Sequence, residues 1–245
     1  MKEFIYSRNA VYETLRAKRR DVFRLEVAQG VQEKGRMLDI LQMARDRNIP
    51  ILSAPRAGMD KIHPAHQGVI LEASGYPYRN LSDILDLAAK RGEPPFVLIL
   101  DTLNDPQNFG TLLRTAEAVG VHGALLPLAR AAEVTPAVVN ASSGAVEHLL
   151  VAQANLAQAI EALREADVWT VGLDEGPESR DPSGVRFDGG LALVVGSEGE
   201  GIRPLVRSKC DFLLRLPMQG QVESLNAAVA GSVALYLAYL ARQKS

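Results

Sequence analysis

The chain has 245 residues, of which 47% are hydrophobic, with a formal net charge of −2 and one cysteine, Cys210. This composition is typical of a globular protein with enough apolar side chains for one large or two smaller domains. It excludes an intrachain disulfide, and we expect Cys210 to be a small buried side chain. Because we see neither a secretory leader pattern nor a long unbroken apolar stretch, we expect a cytoplasmic protein without membrane contact.

Helix and strand patterns alternate on a small scale in the first third of the chain. Apolar periodicity predicts helices at 9–18 and 35–47. Short apolar runs predict strands at 23–28, 51–52 and 69–71. We therefore predict a compact α/β domain over residues 1–75. The turn-rich residues 76–95, which contain one helical pattern, are predicted to be a linker.

From residue 96 onward, strand and helix patterns alternate as βα units. Continuous apolar runs are typical of strands buried on both faces of a parallel sheet. The predicted strands are 96–101, 123–127, 168–173, 191–195 and 212–216. The predicted helices are 111–119, 155–166 with Asn155 as the N-cap, and 224–242. Residues 96–245 are therefore predicted to form a parallel-sheet α/β domain.

Charge is divided unevenly between these two regions. Residues 1–80 contain 14 Lys and Arg against 9 Asp and Glu, so the remainder of the chain is acidic. Basic residues cluster at and around the first predicted helix, which favours contact with a polyanion. A solvated helix end with cations placed favourably for the helix dipole is the alternative.

Three loops that follow predicted strands combine Gly or Pro with polar side chains. They span residues 104–114, 196–201 and 216–226. Loops at the carboxyl ends of parallel strands are where open α/β sheets bind ligands. Each loop offers both bare backbone and a few polar groups, so together they predict a small-molecule site.

Several common chemistries do not match these loops. The glycine spacing in GSEGEG is not the dinucleotide fingerprint, and the chain contains no GxxxxGK[ST] phosphate loop. His63 and His66 are close in sequence, but without a Cys/His cluster around them we predict no metal site. Ser197 and Ser224 have no evident His and Asp partners for nucleophilic hydrolysis.

Three motifs carry a family resemblance. The stretches DTLNDPQNFGTLLRTAEAVG, LALVVGSEGEGI and LPMQGQVESLNAAVAGSVALY resemble, in order and separation, the motifs of the SpoU/TrmH (SPOUT) family of RNA 2′-O-ribose methyltransferases. IYSRNAVYETLRA and HQGVI resemble the ribosomal-protein-like substrate-binding domain of the branch that methylates guanosine in 23S rRNA. The resemblance thus covers nearly the whole chain.

The resemblance implies a fold, a cofactor and an assembly. It implies a C-terminal parallel α/β domain with a deep trefoil knot, acting as a homodimer on RNA with S-adenosylmethionine (AdoMet) as cofactor. Knots are too rare for periodicity to predict. By motif position, the cofactor would be held by Gly196, Glu198, Gly199, Leu216, Met218, Leu225 and Ala227.

The same motifs imply the catalytic residues, which are Asn108, Arg114, Glu198, Ser224 and Asn226. Methyl transfer to ribose requires a 2′-hydroxyl aligned with the methyl carbon and made more nucleophilic. A guanidinium normally stays protonated, so Arg114 would more easily stabilise a developing alkoxide or steer a phosphate than act as a base. Asn108 would orient Arg114 or RNA, and Ser224 and Asn226 would cap the last helix.

The basic N-terminal domain provides the predicted RNA contacts. The candidates are Arg8, Asn9, Arg16, Arg19 and Arg20. Two departures from the family pattern bear on substrate choice: Asn140 stands where Lys is frequent, and SLNAAVA, with Ala228, replaces SLNVSVA. The sequence also leaves open a tRNA ribose methyltransferase, a non-catalytic RNA-binding protein on the same fold and, more remotely, a nucleotide-dependent oxidoreductase.

Overall fold

The computed structural model describes residues 2–128, 133–197, 199–222 and 224–243. They form two compact units. The first comprises residues 1–77 together with 133–148, and the second comprises 78–132 together with 149–245. Each unit contains a β-sheet of its own.

The first unit is built on a mixed four-stranded sheet in the order β1-β4-β2-β3. Its strands are β1 (Lys2–Tyr6), β2 (Val22–Ala28), β3 (Ile51–Ala54) and β4 (Val69–Ser74). Strand β4 pairs antiparallel with β1 and β2, whereas β3 pairs parallel with β2. Helices α1 (Arg8–Ala17), α2 (Arg36–Asp46), α3 (Arg56–Asp60) and α6 (Pro136–Ala141) complete the unit.

Helix α1 packs inward through Ala10, Val11, Thr14 and Leu15, all of which are buried. This spacing places the four side chains on one face, as the apolar period predicts. The helix ends where Lys18 adopts the left-handed conformation, with φ of 55°. The first strand, β1, was not predicted from the sequence because its first half, Lys2 and Glu3, has no apolar side chain.

Residues 133–148 belong to the first unit, although the sequence prediction placed them with the C-terminal domain. Glu147 is fully buried and lies 2.8 Å from the Arg20 guanidinium, whose side chain is also fully buried. Arg19 donates to the Glu147 carbonyl and to the Tyr76 hydroxyl, and Tyr76 donates to the Val146 carbonyl. The domain boundary therefore depends on long-range polar contacts that sequence order does not report.

The second unit contains a six-stranded, entirely parallel sheet in the order β10-β8-β9-β5-β6-β7. Its strands are β5 (Phe96–Leu100), β6 (Gly123–Pro127), β7 (Leu150–Ala154), β8 (Val168–Leu173), β9 (Gly190–Val195) and β10 (Phe212–Leu214). Every residue of β5, β6 and β9 is buried, which is why these strands read as continuous apolar runs. The α/β class with a mixed and a parallel sheet confirms the predicted fold class.

The helices of the second unit are α4 (Leu81–Arg91), α5 (Pro106–Ala118), α7 (Leu156–Glu165), α8 (Pro204–Lys209) and α9 (Ala227–Arg242). Helix α4 is the helix predicted within the linker, but its Ile84 lies in the same apolar core as Val97 and Leu125. Asn155 caps α7 as predicted, accepting from the N–H groups of Ala157 and Gln158. No helix in the described part of the chain is long and apolar enough to cross a membrane.

Candidate active site

A cavity of about 600 Å³ opens at the carboxyl ends of β8, β9 and β10. This is the edge of a parallel sheet at which ligands bind. Two of the three predicted loops, after β9 and β10, form much of its wall. The lining residues are Leu173 to Gly176, Val195 to Ser197, Gly199 to Gly201, Leu214 to Leu216, Met218, Ser224 to Ala227, and Ala230.

The loop after β9 closes on itself at the cavity wall. Ser197 and Gly201 exchange two backbone hydrogen bonds, each 3.1 Å long. A Cβ at position 196 would overlap the backbone of Gly201, so only glycine fits there. Gly199 and Gly201 have positive φ, of 88° and 66°, which other residues rarely adopt. Gly196, Gly199 and Gly201 therefore present bare backbone to the cavity.

Asn226 connects the third loop to the first. Its side-chain oxygen accepts from the N–H groups of Ala228 and Val229, which makes it the N-cap of α9. Its amide nitrogen donates to the Asn108 side chain over 3.0 Å. Asn108 lies in the first turn of α5, which begins at the N-cap Asp105 and Pro106. The capping role predicted jointly for Ser224 and Asn226 falls to Asn226.

Helices α5 and α9 pack closely behind this pair of asparagines. Thr115 and Ser232 share a hydrogen bond of 2.9 Å. Gly231 leaves no room for a Cβ against Leu112, which explains one of the small residues in the last helix. Arg114 projects from α5 and is exposed.

Asp174, directly after β8, adds a carboxylate to the cavity wall. Burial alone would raise its pKa, but hydrogen bonds from Arg207, Ser179 and Gly176 hold the pKa of Asp174 below its ordinary value. It is therefore an anion at neutral pH, paired with Arg207 at 3.1 Å. Asp174 was not among the predicted site residues, although a polar residue that follows an apolar strand is the same signal that predicted the other loops.

Most predicted site residues come together around this cavity. Gly196, Gly199, Leu216, Met218, Ser224, Leu225, Asn226 and Ala227 line it. Asn108 reaches it through Asn226. Arg114 is not among the lining residues, and Glu198 lies outside the described residues. Cofactor binding and catalysis by these side chains stay predictions.

The predicted RNA contacts divide into exposed and buried groups. Asn9 and Arg16 are exposed, and Arg8 is half-buried beside Gln67, whose carbonyl accepts from its guanidinium. Arg19 is half-buried and bonded within the unit. The prediction for Arg20 is wrong: its fully buried side chain is bonded to Glu3, Ser74 and Glu147 and is not available to RNA.

The remaining polar candidates have structural roles. His66 accepts from the Gly68 N–H and contacts Asp60, and His63 stacks on Tyr6. Among the described residues, no group of three or more His, Cys, Asp or Glu side chains is placed to hold a metal ion. Cys210 is partly buried, and burial raises the pKa of its thiol to about 12.

At the carboxyl edge of its parallel sheet, this α/β protein has a cavity of about 600 Å³ whose wall includes the bare backbone of Gly196, Gly199 and Gly201. Residues 95–236 match the SpoU rRNA Methylase family, and residues 4–79 match the RNA 2′-O ribose methyltransferase substrate-binding family. The chain is 41% identical over 244 residues to YacO of Bacillus subtilis (strain 168), assigned to the TrmH family of tRNA/rRNA methyltransferases. That alignment covers 98% of this chain and 96% of the relative.

Two solved structures share the fold over nearly the whole chain. The SpoU methyltransferase AviRb from Streptomyces viridochromogenes, in complex with AdoMet, matches with a TM-score of 0.81 at 23% identity, covering 100% of this chain and 92% of that one. The AdoMet-bound rRNA methyltransferase from Sinorhizobium meliloti matches with a TM-score of 0.79 at 22% identity, covering 97% and 86%. The chain belongs to the SpoU/TrmH family, and it is an AdoMet-dependent RNA 2′-O-ribose methyltransferase.

Proposed function

We propose that this protein methylates the 2′-hydroxyl of a guanosine in 23S rRNA. The observation that carries the proposal is the combination of the cavity, with its glycine-rich loop after β9, and an N-terminal region that matches a substrate-binding family. The full-length likeness to a protein described as an rRNA methyltransferase supports rRNA over tRNA. Methylation of tRNA is the second candidate, because the Bacillus subtilis relative is assigned to both substrates.

The cavity fits AdoMet by volume and by chemistry. The positive-φ glycines and the excluded Cβ at Gly196 leave a surface against which the flat adenine ring can lie. Gly196, Gly199, Leu216, Met218, Leu225 and Ala227 would hold it, chiefly through main-chain groups. When bound, AdoMet supplies a methyl group on a sulfonium, which is a good leaving group. The chain's own residues must then align the ribose and favour its oxygen as nucleophile.

Asn226 and Asn108 fix the geometry for that alignment. Their 3.0 Å hydrogen bond ties the start of α9, at the cavity, to the start of α5. Arg114 lies further along α5 and offers its guanidinium to the ribose oxygen or an adjacent phosphate, where it would stabilise negative charge. Arg114→Lys should lose most turnover, because Lys cannot reproduce the guanidinium fork. Near-normal turnover by this variant would contradict the assignment.

RNA contacts of the first unit would come from Arg8, Asn9 and Arg16. Arg19 would contribute less, because it is half-buried and bonded within the unit. Removal of each cation that binds a phosphate should reduce the slope of log affinity against log salt by about 0.7 to 0.9. The double variant Arg8→Ala/Arg16→Ala should therefore weaken RNA binding and flatten its salt dependence while leaving AdoMet affinity unchanged. An unchanged salt slope would contradict these contacts.

The substrate is tested by methylation of purified 23S rRNA and of bulk tRNA with radiolabelled AdoMet. We expect label in 23S rRNA at one guanosine whose 3′ phosphodiester resists alkali. Label confined to tRNA would move the function to the second candidate. Failure to label either RNA, combined with RNA binding in the absence of AdoMet affinity, would indicate a binding protein that retains the fold.

We also propose a homodimer formed through α9. Val229, Val233, Tyr236 and Leu240 are between 42% and 54% exposed and recur at helical spacing on one face of this helix. A stripe of this kind marks an interface rather than a solvated surface. Val233→Glu should convert the dimer to a monomer in light scattering, whereas Ala162→Glu on the exposed face of α7 should not. A monomeric wild-type protein would refute the proposal.

Finally, we propose that the second unit is knotted and that the protein acts in the cytoplasm. The knot is supported by the way residues 196–197, 199–201, 214–216 and 224–227 line the same cavity before the chain enters α9. Mechanical unfolding from the two ends should stop short of the contour length of an unknotted chain, and full extension would refute the knot.

The proposed cytoplasmic location agrees with a chain that has a single thiol. Subcellular fractionation tests this location.

A further inference from the structure

Asp101 and Arg203 form an ion pair that uses both oxygens of a completely buried carboxylate. Asp101 follows β5 directly and has no exposed surface. The Arg203 guanidinium donates to Oδ1 through Nε at 2.7 Å and approaches it through Nη2 at 2.6 Å. The Arg203 backbone N–H donates to Oδ2 at 2.8 Å. One arginine therefore satisfies the whole carboxylate, with its side chain and its main chain together.

This pair joins two of the loops that build the site. Arg203 comes directly after Ile202 and the closed loop 196–201, which walls the cavity. Asp101 precedes the loop that leads into α5 and Asn108, and its own N–H donates to the Val195 carbonyl at 2.8 Å. The next residue, Thr102, has a positive φ of 61°, so the chain turns sharply there. The Asp101 carboxylate thus fixes Arg203, just after the loop 196–201, to the segment that leads from β5 into α5.

We propose that Asp101 and Arg203 are positioning residues for cofactor binding. By anchoring Arg203, just after this loop, at the end of β5, the pair keeps the backbone groups of Gly196, Gly199 and Gly201 in the geometry that the cofactor meets. The inference rests on the proposed AdoMet site in this cavity. Neither residue is assigned contact with the cofactor or the RNA.

The chain offers a matched pair for comparison in the same unit. Arg164 donates to Asp211 through Nε at 3.0 Å and Nη2 at 2.8 Å, and Asp211 also accepts a backbone N–H, that of Thr170, at 2.9 Å. Neither Arg164 nor Asp211 lines the cavity. Substitution there removes a similar interaction without touching the loop 196–201.

The test measures S-adenosylhomocysteine binding by calorimetry and steady-state kinetics in AdoMet for Arg203→Gln, Arg203→Lys and the control Arg164→Gln. We expect Arg203→Gln to raise the Kd and the KM for AdoMet by about tenfold or more, as loss of a charge-assisted hydrogen bond does. The kcat at saturating AdoMet should stay within about threefold of wild type, because the substitution weakens AdoMet binding equally in the ground state and in the transition state. Arg203→Lys should lie between the two, and Arg164→Gln should match wild type.

Several results would overturn the inference. An Arg203→Gln variant that is folded and binds S-adenosylhomocysteine like wild type would do so. An equal loss of affinity in Arg164→Gln would show a general effect of stability, and a fall in kcat without a change in KM would place the pair elsewhere in the reaction. If Arg203→Gln fails to fold, Arg203→Lys must still bind more weakly than wild type. A wild-type protein that does not bind S-adenosylhomocysteine would instead refute the cofactor site itself.

Discussion

Replacement of Arg20 by alanine should destabilise the first unit severely. The Arg20 and Glu147 side chains are both fully buried and lie 2.8 Å apart, and a second nitrogen of Arg20 lies 2.6 Å from Glu3. Removal of one partner leaves an uncompensated charge away from water, which costs roughly 3–5 kcal/mol in proteins. Glu3 is more exposed than Glu147 and can be rehydrated, so we assign most of the loss to Glu147.

Urea unfolding followed by circular dichroism measures this loss. The double variant Arg20→Met/Glu147→Met removes both charges and keeps the volume, so it should recover to within about 1–2 kcal/mol of wild type. Arg16→Ala, which breaks an exposed pair with Glu13 at 3.4 Å, serves as the surface control and should have little effect. A loss below about 1 kcal/mol in Arg20→Ala would contradict this prediction, since the Glu147 carboxylate would then have found water or another partner.

Three further predictions concern single residues. Asn226→Ser keeps an N-cap on α9 but is too short to reach Asn108, so kcat should fall by about tenfold with little change in Tm. The matched change Asn155→Ser, at the N-cap of α7, should leave kcat intact. Burial and the nearby Arg91 charge lower the pKa of His122 in the folded protein. The unfolded chain therefore binds the proton at a higher pH, and the free energy of unfolding should fall as the pH drops below about 6.5. His122→Asn should flatten the dependence of Tm on pH between about pH 8 and 5. Because burial raises the pKa of Cys210 from 9.0 to about 12, its thiolate fraction is about a thousandfold lower than in the unfolded chain, and iodoacetamide should label it only after denaturation.

The elements that could be predicted from the sequence are those whose burial is uniform. Strands β5 and β9 are buried on both faces, so their apolar runs are unambiguous. Strand β1 is an edge strand, exposed at its first residue, and β7 is only partly buried along its length, so neither shows an unbroken apolar run. Helix α5 was predicted from residue 111, whereas its first turn, at Pro106, is fixed by a cap and not by periodicity.

The loops of the candidate site could be predicted from the strand topology. The individual side chains that complete the site could not all be predicted from residue type. Loops after β9 and β10 were expected to meet because carboxyl ends of parallel strands share one edge, and both line the cavity. The loop after β8 lines it too, and it also combines Gly176 and Pro177 with polar residues such as Asp174, but it lies outside the three family motifs and was not selected. Asp101 and Arg203 are 102 residues apart, and no local pattern joins them.

The placement of the charged residues in the fold changes the interpretation of the basic N-terminal region. Residues 1–77 carry 13 Lys and Arg against 9 Asp and Glu, but residues 133–148 add two glutamates and no Lys or Arg to that unit, which lowers its balance from +4 to +2. One of these glutamates, Glu147, neutralises Arg20 in the interior. Net charge therefore overstates the attraction of this unit for RNA. Of the predicted phosphate contacts on α1, Arg16 is exposed and Arg8 is half-buried. Because these contacts are few, we expect binding whose salt dependence is modest and whose specificity comes from shape.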